Sequence, residues 1–123
     1  MSSETFADRN LTLTVEDDGH VIRVEWTGKS TARDPGGFIA PILAKALKHS
    51  RTSGRPLVVD FVHIAYMNSS TITPIIRILD EAKRKGDKVT VLYKRSLKWQ
   101  ELSFSALEIF QTEDGRVTIR GVD

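Results

Sequence analysis

The chain has 123 residues, and its 18 lysines and arginines against 16 aspartates and glutamates leave a net charge of +2 at pH 7. So small a charge does not indicate nucleic-acid binding, and the lack of cysteine excludes disulfides, a thiolate nucleophile and a cysteine-based zinc site. No apolar stretch approaches the roughly 20 residues that span a bilayer, and the N-terminus lacks the basic and apolar regions of a signal peptide. We therefore expect a cytoplasmic domain that binds neither nucleic acid nor membrane.

The first half of the chain predicts a flexible N-terminus, a β-hairpin and a helix. Residues 1–9 are polar and are expected to be flexible. Alternating apolar residues predict two strands, over about 11–15 and 21–27, around the turn signal Asp17-Asp18-Gly19. After a polar loop, apolar residues at helical spacing predict a helix over about 37–50.

The second half predicts strands that alternate with helices. A short apolar run predicts a buried strand over 57–61, and a helical pattern follows from about 70 to 85. Another strand begins at Val89, a last helix covers about 97–110, and a short strand covers 117–119. The predicted order is β-β-α-β-α-β-α-β. It favours one α/β domain over 10–123, with a mixed β-sheet whose later strands pair in parallel through right-handed crossovers.

The polar segment between the buried strand and the helix after it is the most informative part of the chain. Ser69, Ser70 and Thr71 stand at a helix entrance, where hydroxyl groups satisfy free N–H groups and the backbone dipole favours negative charge. Because proline is tolerated in the first turn of a helix, Pro74 places the helix start within a few residues of itself. Each serine could be a helix cap, a phosphate acceptor or both.

The run Met67-Asn68-Ser69-Ser70-Thr71-Ile72, after a buried strand and before a helix, resembles the signature of the STAS domain, the sulphate-transporter and anti-sigma-factor-antagonist fold. The resemblance covers residues 56–93 and, through the order of elements, most of the chain. It implies a STAS-like single domain that works by binding, as an anti-sigma-factor antagonist does, and not as an enzyme. By this resemblance Ser69 is the phospho-acceptor for a partner kinase, Ser70 is the less favoured acceptor and better suited to capping, and a phosphatase reverses the modification.

Two residues depart from the family signature. Asn68 stands where most of the family has Asp, which removes a negative charge beside the acceptor hydroxyl. Thr71 stands where the family has Gly, which argues against a need for positive φ. The segment from Tyr66 to Ser70 also resembles a divergent branch, the SiaC-type regulatory phosphoproteins, which carry Asn before the acceptor. Partners in that branch include a kinase-like switch protein and a cyclic-di-GMP synthase, and the residues leave the choice of branch open.

The predicted partner surface combines this loop with the exposed face of the following helix. Its residues are Tyr66, Met67, Asn68, Ser69, Ser70, Thr71, Thr73 and Arg77. It would meet a protein kinase or anti-sigma-factor-like partner and a phosphatase. We expect no catalytic residues, no metal and no cofactor in this chain, since ATP would be the substrate of the kinase. The alternative is a STAS-like scaffold or oligomer subunit that binds its partner without a switch, and the departures at positions 68 and 71 make it credible.

Overall fold

Residues 2–123, which the computed structural model describes, form seven strands and three α-helices. The strands are β1 (Ser2–Asp8), β2 (Leu11–Asp17), β3 (Ile22–Ser30), β4 (Leu57–Asp60), β5 (Ile64–Met67), β6 (Val89–Lys94) and β7 (Val117–Val122). The helices are α1 (Gly36–Ser53), α2 (Ile72–Lys85) and α3 (Lys98–Ser105), with 3-10 turns at Ser69–Thr71 and Ala106–Phe110. None of the helices in this described range is long and apolar enough to cross a membrane.

The strands form one mixed sheet in the order β1-β2-β3-β4-β6-β7, and β5 pairs with β3 beyond the end of β4. The pairs β1–β2 and β2–β3 are antiparallel, whereas β3–β4, β3–β5, β4–β6 and β6–β7 are parallel. This arrangement confirms the predicted hairpin and the predicted parallel pairing of the later strands. In such units the helices run back against the strands, so α1 and α2 both begin at the carboxyl edge of the sheet.

The structure corrects the sequence-based prediction at three places in the chain. Residues 1–9 were expected to be flexible, but residues 2–8 pair with β2 along their whole length, and Met1 lies outside the described residues. Strand β5 is missing from the predicted order. It leads directly into residues 68–71, which we call the serine loop. The helix expected over 97–110 divides into α3 and a 3-10 turn.

Aromatic side chains fill the centre of the core. The rings of Trp26 and Phe61 are 4.6 Å apart, Phe61 and Phe104 are 4.6 Å apart, and Phe104 and Tyr93 are 5.8 Å apart, measured between centroids. Such contacts add to the stabilisation from burial alone. Trp26 is fully buried. Because Phe61 follows β4 directly, this packing holds the point where the chain leaves β4 for β5.

An ion-pair network joins α1 to the far end of α2. The Arg51 guanidinium donates to both carboxylate oxygens of Asp87, at 3.0 and 2.7 Å, and to Glu81 at 3.1 Å. The bonds to Asp87, and after them the bond to Glu81, raise the pKa of Arg51. Because Glu81 lies on α2 and Asp87 just beyond its end, the network fixes the spacing of two helices whose opposite ends border the serine loop.

Candidate functional site

The loop between β5 and α2 is anchored to the segment that follows β3. The backbone N–H of Asn68 donates to the Ser30 carbonyl at 2.9 Å, and its side-chain amide donates to the Ala32 carbonyl at 2.8 Å. Both acceptors lie more than thirty residues earlier in the chain. Asn68 therefore ties the entrance of the loop to the carboxyl edge of the sheet.

The side-chain oxygen of Asn68 holds the other end of the loop. It accepts from the backbone N–H of Thr71 at 3.2 Å and from the Thr71 hydroxyl at 2.7 Å. The Thr71 hydroxyl also lies 2.6 Å from the Ser30 hydroxyl. Because the Thr71 proton points to Asn68, the Ser30 hydroxyl is the donor in this second bond. Ser30 and Thr71 are both buried, so the loop rests on an interior chain of directed hydrogen bonds.

This network explains why the chain departs from the family signature at two positions. The neutral amide of Asn68 must accept from Thr71 and donate to Ala32 at the same time, which a carboxylate cannot do. Thr71 adopts a right-handed helical conformation with φ of −69°, which confirms that positive φ is not required there. Ser70 does not cap the turn, contrary to the expectation from sequence; Asn68 does, because its side chain reaches the Thr71 amide.

The network directs the two serines outward. Ser69 and Ser70 are the first two residues of the 3-10 turn that Asn68 caps and Thr71 ends, and both are exposed. Pro74 is the third residue of α2, which confirms the helix start that was predicted from it. A loop with buried bonds at both ends therefore presents two hydroxyl groups to solvent at the entrance of a helix.

Most, but not all, of the predicted partner surface is exposed. Tyr66 is 46% exposed, and Thr73 and Arg77 lie on the exposed face of α2. Met67, in contrast, is only 9% exposed and packs in the hydrophobic core, and Thr71 is fully buried. Both residues were predicted to belong to the partner surface, and that role stays a prediction, because their side chains are buried in this structure. The hydrogen bonds to Ser30 and Asn68 hold the Thr71 hydroxyl inward.

A surface groove of about 440 Å³ runs beside the serines, between the starts of α1 and α2. Its lining residues are Arg33, Asp34, Pro35, Gly36, Gly37, Ala40, Ser70, Thr73, Pro74 and Arg77. The sequence predicted only the α2 side of this groove. Residues 33–37 appeared as part of a polar loop, and only the crossover of α1 over the sheet brings them opposite Arg77.

Asp60 has structural partners near the loop. Asp60, at the end of β4, accepts from Arg23 at 3.0 Å and from the backbone N–H of Val62 at 2.9 Å. Asp60 therefore ties the end of β4 to β3 and to the start of the following loop. Within residues 2–123, no group of three histidines and carboxylates is placed to hold a metal ion.

No protein-family model matches the chain, and no curated protein matches it either. Several solved structures, in contrast, are similar to the chain. SiaC of Pseudomonas aeruginosa is 18% identical, with a TM-score of 0.68 over 100% of this chain and 98% of that chain. A chain from the complex of the diguanylate cyclase SiaD with its activator SiaC, also from Pseudomonas aeruginosa, is 19% identical, with a TM-score of 0.57 over 95% of this chain and 99% of that one.

A third solved structure extends the likeness beyond SiaC. A protein of the DUF3478 family from Shewanella loihica PV-4, described as having a SpoIIAA-like fold, is 13% identical, with a TM-score of 0.50 over 94% of this chain and 90% of that chain. Identities this low show a shared fold only. Together with the strand order, they show that the chain has the SpoIIAA-like fold, the fold that the STAS resemblance implied.

Proposed function

We propose that this protein is a phosphorylation-switched regulatory module that binds other proteins in bacterial partner-switching signalling. The observation that carries the proposal is the presentation of Ser69, which is exposed on a loop whose neighbours Asn68 and Thr71 are bonded into the interior. A kinase needs an accessible hydroxyl, and this loop presents one in a position fixed by the bonds of its neighbours. The chain supplies the acceptor and the binding surface, and it performs no catalysis.

Phosphoryl transfer to Ser69 requires only a partner kinase with ATP. A bond forms between Ser69 Oγ and the γ-phosphorus as the bond from that phosphorus to the β,γ-bridging oxygen breaks. ADP leaves, and the hydroxyl proton passes to a base on the kinase. The product carries about −1.5 to −2 charge at neutral pH, at a helix entrance that favours anions. A phosphatase would restore the hydroxyl.

The added charge would release a protein bound over the loop. The exposed side chain of Tyr66 and the hydroxyls of Ser69 and Ser70 form a surface that a partner could cover closely. A phosphate at Ser69 would have to lose its hydration at such an interface, which costs far more than burying a hydroxyl. The unphosphorylated form is thus the binding form, and the phosphorylated form is the released one.

The structural similarity to SiaC suggests the partners. SiaC was solved with a diguanylate cyclase, of which it is an activator. We therefore propose that this protein acts in the cytoplasm, that it meets a kinase-like switch protein and a phosphatase, and that a cyclic-di-GMP synthase is its regulated partner.

Intact-mass measurement tests the switch. The protein is incubated with ATP and a kinase encoded beside its gene, and we expect the mass of one added phosphoryl group. Ser69→Ala should abolish the addition, and the matched variant Ser70→Ala should retain it. If the phosphoryl group persists in Ser69→Ala and disappears in Ser70→Ala, the acceptor is Ser70 and the assignment to Ser69 is wrong.

Binding to the partner separates the switch from the scaffold alternative. Ser69→Asp should weaken binding to the diguanylate cyclase or other neighbouring partner at least tenfold, whereas Ser69→Ala should bind as the wild type does. No phosphoryl addition, together with normal binding of Ser69→Asp, would exclude the switch and leave a STAS-like scaffold that binds constitutively.

A further inference from the structure

The groove between the starts of α1 and α2 collects positive charge from two sides. Arg33 precedes α1, Arg77 lies in the second turn of α2, and both line the groove. Neither guanidinium forms an ion pair within residues 2–123, in contrast to Arg51 and Arg84. Asp34 is the acidic side chain of the lining, so the two arginines outweigh it.

The backbone contributes donors to the same place. No side chain caps α1, and within the described part of the chain the amide groups of Gly36 and Gly37 have no acceptor. Neither α1 nor α2 carries an acidic residue in its first turn, where one would offset the positive end of the helix dipole. The groove therefore holds two guanidinium groups and two N–H groups that lack an anionic partner.

The two glycines have no explanation within the fold. Neither has positive φ, a Cβ at Gly37 would meet no atom within 4 Å, and one at Gly36 would meet only Asp34 Oδ1 at 3.7 Å. Alanine would fit at both positions, and it favours the helix more than glycine does. What the missing side chains provide is open access to the backbone N–H groups, which is the arrangement by which glycine-rich helix starts receive phosphate.

We propose that this groove binds a phosphate group, and that the phosphate it takes is the one carried by the serine loop of the same chain. This inference rests on the proposed function for the source of the phosphate. Ser70 lines the groove and Ser69 is its neighbour in the 3-10 turn. Held by Arg33, Arg77 and the glycine amides, the phosphate neutralises the basic groove while it blocks the loop, so one modification removes two features of the partner surface.

Inorganic phosphate tests the groove without any kinase. The full chain is titrated with phosphate at constant ionic strength, with chloride as the compensating anion, and its amide signals are followed by NMR. We expect saturable shifts at Gly36 and Gly37. Arg33→Gln and Arg77→Gln should each weaken binding about threefold to tenfold, since each removes one charge-assisted contact. Arg84→Gln is the matched control, because Arg84 lies at the other end of α2 and pairs with Asp80.

A further variant separates the groove from a diffuse basic surface. Gly37→Ala keeps every charge and places a methyl group over the N–H groups, so we expect weaker phosphate binding in a protein that remains folded. Shifts that do not saturate, or that are unchanged in the double variant Arg33→Gln Arg77→Gln, would overturn the phosphate site.

Chemically defined phosphoproteins identify the source of the phosphate. Phosphoserine is incorporated at position 69 in one sample and at position 70 in another, and both are titrated with inorganic phosphate. Because the groove would already be filled, at least one sample should show shifted Gly36 and Gly37 signals and at least a tenfold loss of affinity for added phosphate. Unchanged affinity in both samples would refute binding within the chain. This experiment uses no kinase, so it is independent of whether a kinase modifies Ser69.

Discussion

The substitution Asn68→Asp tests the hydrogen-bond network under the serine loop most directly, because it restores the residue that most of the family carries. It replaces the amide donor that lies 2.8 Å from the Ala32 carbonyl with a carboxylate oxygen. A part-buried acceptor that loses its donor costs up to about 1–3 kcal/mol, and repulsion between the two oxygens adds to this cost. Stronger, charge-assisted bonds from Thr71 return about 1 kcal/mol.

The balance is a loss of about 1–2 kcal/mol in the free energy of unfolding at pH 7, which corresponds to a melting temperature lowered by about 4–8 °C. Repulsion from the Ala32 carbonyl should raise the folded-state pKa of the new carboxyl above its unfolded value of about 3.9. The loss is therefore present above the folded-state pKa and disappears as the pH falls through it, since a protonated carboxyl donates to Ala32 again.

Urea unfolding followed by circular dichroism between pH 3 and about 8 measures this dependence. Asn10→Asp is the matched control, because Asn10 is exposed and its side chain lies outside the network. We expect the stability of Asn68→Asp to approach that of the wild type at the acidic end only. An Asn68→Asp protein that is as stable as the wild type at pH 7, or that follows the pH profile of Asn10→Asp, would refute this account of the loop.

Three further substitutions test contacts elsewhere in the fold. Thr71→Val keeps the shape of a buried side chain but removes the hydroxyl shared by its two partners, so we expect a loss of about 1–3 kcal/mol by chemical unfolding. Gly28→Ala should lower the free energy of unfolding by at least about 3 kcal/mol, because its Cβ would lie against the carbonyl of Asn10 at positive φ. Gly19 has a similar φ but nothing within 4 Å of an added Cβ, so Gly19→Ala should lower it by only about 1 kcal/mol. Equal losses in the two variants would contradict the steric argument. Hydrogen bonds from Arg55, the Gly19 amide and His49 lower the pKa of Asp17, so its stabilisation is present above the unfolded pKa of about 4 and is lost as the pH falls below it. Asp17→Asn should therefore flatten the acid side of the stability profile, and an unchanged slope there would exclude this role.

The sequence predicts those elements that have a periodic apolar pattern. The hairpin, α1, β4 and α2 all show such a pattern, and the structure has them within a few residues of the predicted bounds. Strand β1 could not be predicted, because its residues are exposed except for the half-buried Phe6, and only pairing with β2 orders them. Strand β5 is four residues long and lacks clear alternation, so its pairing with β3 is a long-range effect.

In the candidate site, too, local features could be predicted from the sequence and long-range contacts could not. The helix start followed from Pro74, which is a local constraint. The capping role of Asn68 could not be predicted in this way, because its bonds reach Ser30 and Ala32. No local sequence pattern shows that the fold brings these residues next to Asn68. Arg33 and the two glycines were missed for the same reason. They become neighbours of Arg77 only when α1 and α2 lie side by side on the sheet.

The interior bonds of Asn68 and Thr71 have a consequence for how a signal leaves this domain. Because the backbone on both sides of the serines is bonded to the body of the protein, we expect the proposed phosphorylation to leave the path of the chain unchanged. The two forms would then share one backbone and differ only in the chemistry of their surface. A partner would distinguish the two forms by the charge at the loop surface. The exchange of partners would therefore require no refolding of the domain.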